Sequence, residues 1–390
     1  MPTGSPGAAP SPSAADADAS SDVPVLADYG GSSLIGVVPG LLAAPGQRPA
    51  WFPEPAASAA QAVLLVVDGL GWRQLATRRH LAPTLAAMAG GAITSVVPTT
   101  TATALTSIAV GAAPADHGMV GFRLRVTHPT AGPEVLNVLR WRTPSGDARK
   151  SIQPHAFQPR PAFGGRPVPV ISRMEFAGTG FSQAHLGGGR MVGWATASGI
   201  GVEIGRALAA GEPLVYAYYD GLDKTAHVTG LGEHYDAELV AIDGLVAAII
   251  DRLPPGAALV VTADHGQVDV GARARSLPPE ILALTAMVSG EARFRWLHAA
   301  DGRVAELLEA CREWCGADAW VRTIDDLDAE GWYGGPLDER IRSRLGDVAV
   351  VARGQVAYLE GADPGESRLV SMHGSLTADE MWVPLVAAGT

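Results

Sequence analysis

Three stretches of this chain, AVLLVV at 62–67, LVYAYY at 214–219 and AALVVT at 257–262, are apolar almost without interruption. Each then meets an acid: Asp68, Asp220 and Asp264. A strand with one wet face alternates polar and apolar residues, whereas one that is apolar throughout is buried on both faces. Runs of this kind constrain the chain to an α/β architecture, a mostly parallel central sheet with helices on both faces. Ligands of open α/β sheets bind at the carboxyl ends of the strands, so these acids stand where a site belongs.

The segments between the runs supply the rest of that architecture. A helix is expected over 72–88, a strand over 93–97, a strand over 192–196, a helix over 201–210 and an amphipathic helix carrying Leu239, Ile242, Val246, Ile249 and Leu253. Residues 123–126 and 135–141 read as a hairpin. Residues 122–189 form a loosely patterned insertion, a cap that selects the substrate. Further along, Phe294 and Trp296 alternate with Arg293 and Arg295 as in a half-buried strand, 304–315 is helical, and 348–352 and 355–359 flank Arg353-Gly354 like a hairpin. The first 22 residues, rich in Ala, Pro, Ser and Asp, read as a disordered tail before one domain over 23–390. They lack the basic start and apolar segment of a signal peptide, and no apolar run is long enough to span a membrane, which gives a cytoplasmic expectation. The two cysteines, Cys311 and Cys315, sit four apart on the apolar side of a helix and read as core residues of a protein in a reducing compartment.

The chemistry concentrates in four places. The 93–97 strand breaks at Pro98 and hands over to Thr99-Thr100-Thr101-Ala102-Thr103, a hydroxyl-rich helix start of the kind that binds phosphate. Asp223 and His227 lie four apart, on one face of a helical turn, able to grip one ion. Asp264 and His265 end an apolar strand, a placement that packing does not explain. His373 precedes a capped helix start near the end of the chain. Three Asp, three His and a helix-terminal Thr suit two divalent cations, zinc first and manganese second. The net charge of −11 argues against nucleic acid or anionic membrane as a partner. A negatively charged small-molecule substrate therefore needs local positive charge, which metal ions would provide. Nothing in the sequence fixes the oligomeric state.

The segments LLVVDGLG, VVPTTTATALTSIAVG, YYDGLDKTAH, VVTADHG and MHGSLTADEM, in that order, resemble the metal-site motifs of the alkaline phosphatase superfamily, closest to its nucleotide pyrophosphatase/phosphodiesterase branch. The resemblance covers about residues 60 to 390. It implies one metal held by Asp68, Asp264, His265 and the Thr101 oxygen, and a second held by Asp223, His227 and His373. It also implies ping-pong hydrolysis of a phosphodiester or nucleotide pyrophosphate through a phosphothreonine. Thr101 follows from the pattern Pro-Thr-x-Thr, with Thr100 and Thr103 as the alternatives in a shifted register. Where the branch carries an Asn after His-Gly, this chain reads His117-Gly118-Met119-Val120-Gly121-Phe122, and Asn137 of the hairpin is the stand-in. Phe122 and Asn137 are accordingly the substrate-binding candidates. The cap aromatics Phe122, Trp141 and Phe157 would bury a second substituent, and Lys224, beside Asp223, is read as turned to another face. Arg123, Arg125 and Arg140 are the cations that could clamp a monoester. A phosphonoacetate-type hydrolase or a phosphomonoesterase on the same metals, and a metal-free binding protein, are the alternative functions.

Overall fold

The computed structural model describes residues 23–361 and 365–390, so the tail expected at 1–22 lies outside the described residues. Its centre is a seven-stranded sheet in the order Ala89–Thr94, Trp382–Gly389, Ala257–Thr262, Gln61–Val67, Leu214–Tyr219, Pro169–Arg173 and Arg190–Trp194. The two apolar strands beside Gln61–Val67 run parallel to it, with Leu64 level with Val260 on one side and with Tyr216 on the other. Residues 62–67 are all buried, which is why that run shows no alternation. Helices flank the sheet, among them Ser198–Ala209 and Glu233–Ile250. Trp382–Gly389 enters antiparallel, between Ala257–Thr262 and Ala89–Thr94.

Two four-stranded sheets and two two-stranded ones are added to this core among the described residues. Arg123–His128 and Gly132–Asn137 form the expected hairpin, extended by two short strands. Thr285–Glu291, Phe294–Ala299, Val348–Ala352 and Ala319–Thr323 form a four-stranded antiparallel accessory sheet. The helix Val304–Cys315 packs on it, with Cys311 and Cys315 buried and free. Among the described residues no helix is long and apolar enough to cross a membrane.

The structure departs from the sequence reading in five places. The helix expected over 72–88 is two, Trp72–Thr77 and Pro83–Ala87, because Pro83 has no N–H for a continuing turn and restricts the residue before it. The freed amides of Thr84 and Leu85 bond the Asp243 carboxylate instead. The strand expected over 93–97 is Ala89–Thr94, and the chain then loops to the helix Thr101–Val110. The stretch 122–189 contains Pro169–Arg173, a strand of the central sheet, whose apolar residues are hidden among Pro and Arg. Ala357–Leu359 pairs in parallel with Ala274–Ser276, not back on Val348–Ala352. Finally, Arg293 and Arg295 are not on a wet face: both are fully buried.

Both guanidinia meet buried carboxylates, Arg293 through two nitrogens of its fork and Arg295 through one. Arg293 Nε and Nη2 donate to Glu380 at 2.7 Å each, and Arg295 Nη2 donates to both oxygens of Glu366. Glu380 also accepts from the Ser375 amide and the Thr377 hydroxyl, so this pair fastens the accessory sheet to the 373–377 loop. Glu380→Ala would leave a buried, unpaired cation and is expected to destabilise the fold by about 3–5 kcal/mol. Urea unfolding measures it, and a loss below about 1 kcal/mol would show that the pair is incidental.

Candidate active site

The carboxyl ends of the three apolar strands lie side by side, which brings Asp68, Asp220 and Asp264 to one edge of the sheet. Asp68 is 2 % exposed and Asp264 fully buried. Asp264 Oδ1 accepts from the amides of Gly69 and His265, at 3.2 and 3.1 Å. Asp68 Oδ2 accepts from the Tyr218 hydroxyl, and Asp223 Oδ1 accepts from Gln267 Nε2. That leaves Asp68 Oδ1 and Asp264 Oδ2 buried without a hydrogen-bond partner.

Each of the three histidines is held the same way. His227 Nδ1 meets the carbonyl of Ser371 at 2.7 Å, His265 Nδ1 that of Gly266 at 3.0 Å, and His373 Nδ1 that of Thr99 at 2.8 Å. A carbonyl can only accept, so each Nδ1 carries the proton and each Nε2 is left as a ligand atom. His265 Nε2 lies 3.3 Å from Asp68 Oδ1, 3.4 Å from Asp264 Oδ2 and 3.2 Å from Thr101 Oγ1. Asp223 Oδ1 lies 3.3 Å from His227 Nε2 and 3.7 Å from His373 Nε2. The His265 and His373 rings stack 3.5 Å apart. The six Asp and His residues named from the sequence thus converge in one place, beside Thr101. Two groups have ligand atoms within 4.8 Å of one another, Asp68 with Asp264 and His265, and Asp223 with His265 and His373. His265 stands in both, whereas His227 reaches the cluster through Asp223.

The electrostatics fit cations here. Burial and the charges of Asp264 and Asp223 push the Asp68 carboxyl well above its usual range, against the pull of the Tyr218 hydroxyl. Burial also raises Asp264, while His265 opposes it. Burial, with His265 and His227 close by, holds His373 well below the ordinary imidazole value and so neutral. Crowded carboxylates with orphaned oxygens, facing imidazoles with bare Nε2 atoms, are the donor set of a divalent-metal centre.

Of the three threonines left open by the sequence, Thr101 opens the helix Thr101–Val110 and lies against His265. Thr100 is the N-cap residue and its hydroxyl faces Glu291, while the Thr103 hydroxyl is buried without a partner. Glu291 had no sequence signal: it ends an accessory strand, and burial raises its carboxyl to about 8. It packs on Gly374, where a Cβ would come within 2.7 Å of the Glu291 side chain and φ is +128°. Only glycine fits both that space and that backbone after His373.

A cavity of about 190 Å³ opens beside Thr101, with Leu105, Leu139, Phe176, Phe181, Tyr218 and Lys224 among its walls. Neither Phe122 nor Asn137 lines it. The Asn137 side chain caps its own turn by accepting from the Arg140 amide, and Phe122 accepts from Val138 through its backbone. Trp141 and Phe157 are spent on each other, edge to face at 5.6 Å, in the core. Arg123 pairs with Glu360. Lys224, read as turned away, lines the cavity, because its long stem swings back to pair with Asp220. Asp220 also accepts from Arg173 at 2.6 Å.

Residues 62–204 and 190–376 match the family model for type I phosphodiesterase / nucleotide pyrophosphatase. Among solved structures, murine ectonucleotide pyrophosphatase/phosphodiesterase 5 superposes with a TM-score of 0.61 at 17% identity, over 85% of this chain and 88% of that one. Phosphonoacetate hydrolase from Sinorhizobium meliloti 1021, solved with phosphonoformate, superposes with a TM-score of 0.58 at 18% identity, over 88% and 92%. No curated protein matches the chain significantly by sequence.

The raised carboxyls set a pH dependence. A carboxyl whose folded-state pKa is raised contributes most to stability when protonated, so the metal-free fold weakens as pH climbs from about 4 through the raised values of Asp68 and Asp264. Divalent ions bind the ionised forms and lose to protons at low pH. The Tm gap between metal-loaded and chelator-stripped protein is therefore expected to widen from about pH 5 to about pH 8. A gap independent of pH would show that these carboxyls do not hold the ions.

Proposed function

The chain belongs to the type I phosphodiesterase / nucleotide pyrophosphatase family, a family of divalent-metal-dependent hydrolases, and from that premise we propose that it cleaves phosphodiester or nucleotide pyrophosphate bonds through a phosphothreonine on Thr101. The observation that carries this reading is the position of Thr101 Oγ1, 3.2 Å from His265 Nε2, at a helix start beside buried Asp68 and Asp264.

Asp68, Asp264, His265 and Thr101 would hold one ion and Asp223, His227 and His373 the other, zinc by preference and manganese as second choice. When bound, the ions supply Lewis-acid polarisation of the phosphoryl oxygens and ease ionisation of a hydroxyl. The chain's own groups do the rest. Thr101 Oγ1 forms a bond to phosphorus as the bond to the leaving alcohol or nucleotide breaks. Water then attacks the phosphothreonine, its bond to Oγ1 breaks, and the Thr101 hydroxyl is restored. The first-turn amides of Thr101–Val110 have no intrahelical acceptor and present the positive end of the helix dipole to the phosphoryl charge. The main-chain carbonyls that hold each Nδ1 proton keep the three imidazoles aimed inward throughout. Leu139, Phe176, Phe181 and Leu186, from the 122–189 stretch, line the approach beside Thr101. The setting we assign is the cytoplasm, in keeping with the free thiols of Cys311 and Cys315.

A phosphonoacetate-type or monoester reading draws on one feature, the Lys224 ammonium in the cavity wall. Its pairing with Asp220, itself held by Arg173, speaks for the diester. Thr101→Ala is expected to lower kcat for bis-p-nitrophenyl phosphate at least about a thousandfold while metal content holds, and Thr101→Ser to retain measurable turnover. Phosphate should be trapped on the peptide containing Thr99 to Thr103. An active Thr101→Ala would move the nucleophile elsewhere.

The substrate class is tested separately. kcat/KM for bis-p-nitrophenyl phosphate is expected to exceed that for p-nitrophenyl phosphate and for phosphonoacetate. The reverse order would overturn the diesterase assignment and leave the two-metal threonine site standing.

A further inference from the structure

We infer that Gln267 is a positioning residue for one half of the metal site. It aims the Asp223 carboxylate and so sets the affinity of the Asp223, His227 and His373 group for its ion, while the Asp68, Asp264 and His265 group does not depend on it. The inference rests on the two-cation reading above.

Gln267 directly follows Asp264-His265-Gly266, is fully buried, and spends both ends of its side-chain amide on the cluster. Its Nε2 donates to Asp223 Oδ1, the oxygen that faces the Nε2 atoms of His227 at 3.3 Å and His373 at 3.7 Å. Its Oε1 accepts from the Ser371 hydroxyl at 3.1 Å, and the Ser371 carbonyl is the group that holds the His227 Nδ1 proton. The amide cannot sit the other way round, because Oε1 against a carboxylate oxygen would set two acceptors face to face. One side chain thus links Asp223 to the residue that orients His227. Ser371–Met372, paired with Val268–Asp269, then runs directly into His373.

A close fit holds the amide in that place. Gly69 has a φ of +75°, and a Cβ on it would come within 3.1 Å of Gln267 Nε2 and of the Asp223 Cα. The main chain here is held separately: the Gln267 carbonyl accepts from Gln74 Nε2 at 2.7 Å, and the Gly266 amide donates to the Glu380 carbonyl at 2.9 Å. His265 is kept by those bonds and by its own to Asp264 and the Gly266 carbonyl. A change confined to the Gln267 side chain therefore leaves the other half of the site standing.

Among the described residues, Gln267 Nε2 is the hydrogen-bond donor to the Asp223 carboxylate. A donor fixes which way a carboxylate points, and a neutral amide does so without the repulsion of a cation that an ammonium or guanidinium would bring. Supports of this kind are worth about 10–100-fold in metal affinity.

The test is zinc binding to the full chain, followed by competition with a chromophoric chelator. Wild type is expected to bind two ions. Gln267→Met keeps the length of the side chain and removes both hydrogen bonds; it is expected to weaken one ion about 10–100-fold and to leave the other within about twofold. In Asp223→Ala, where the ion of the Asp68, Asp264 and His265 group remains, adding Gln267→Met is expected to change zinc affinity by less than about twofold, which assigns the weakened ion. Ser371→Ala, a smaller change that keeps the carbonyl on His227, is expected to weaken the same ion by less and to add nothing once Gln267 is replaced. Equal weakening of both ions, or unchanged zinc affinities whatever the Tm of the metal-free variant, overturns the inference and leaves the two-cation site standing. If wild type binds fewer than two ions, the two-cation reading and the inference fall together.

Discussion

The repulsion among buried carboxylates is the constraint around which this protein is built. Asp68, Asp223 and Asp264 are brought together by strands whose apolar bodies leave no choice of position, and like charges this close in a poorly solvated place cannot all ionise unaided. The fold answers from inside and outside. Tyr218 and the amide of Gly69 stabilise one oxygen each, and three imidazoles with main-chain-fixed protons close round the others. What remains unmet is the need for positive charge. In a net negative protein, such a place is suited to cations.

Around this centre the accessory sheet has a supporting role that its position in the chain does not suggest. Glu291 packs on Gly374 and faces Thr100, so a strand outside the central sheet touches the neighbours of both His373 and Thr101. The Arg293–Glu380 pair anchors the same loop from behind. Buried ion pairs seldom add much stability over apolar packing, but they fix geometry, which suits a loop that must deliver one imidazole.

The legibility of the sequence tracked the physics of each segment. The strand Leu214–Tyr219, the strand Ala257–Thr262 and the helix Val304–Cys315 lie where the pattern put them, because burial on both faces and 3.6-residue periodicity leave a strong local mark. Five of the six clustered Asp and His residues were legible for the same reason, since they follow such strands or share one helical turn, whereas His373, ahead of a capped helix start, was legible through the family resemblance alone. Pro169–Arg173 was missed because five residues that start at a proline, at the end of a Pro-rich stretch, carry too little pattern to separate from loop. Arg293 and Arg295 misled because a strand with charged alternate residues looks half wet, and only their distant partners Glu380 and Glu366 dry them. Lys224 misled because helical spacing fixes where a Cβ points, not where a long side chain ends. The cavity residues Leu139, Phe176 and His185 come from separate loops and helices, a proximity that spacing does not encode.

The strand Trp382–Gly389 lies between two strands made much earlier, Ala89–Thr94 and Ala257–Thr262. During synthesis the two earlier strands emerge with a gap between them that only this late segment fills, so the sheet cannot zip from one edge to the other in the order of translation. Until it arrives, each of them offers an unpaired edge to any passing chain. His373 belongs to the segment just ahead of it, so the Asp and His cluster and the sheet are both completed by the same short stretch of polypeptide. A chain that still lacks this stretch therefore has both an open sheet and an incomplete cluster of Asp and His side chains.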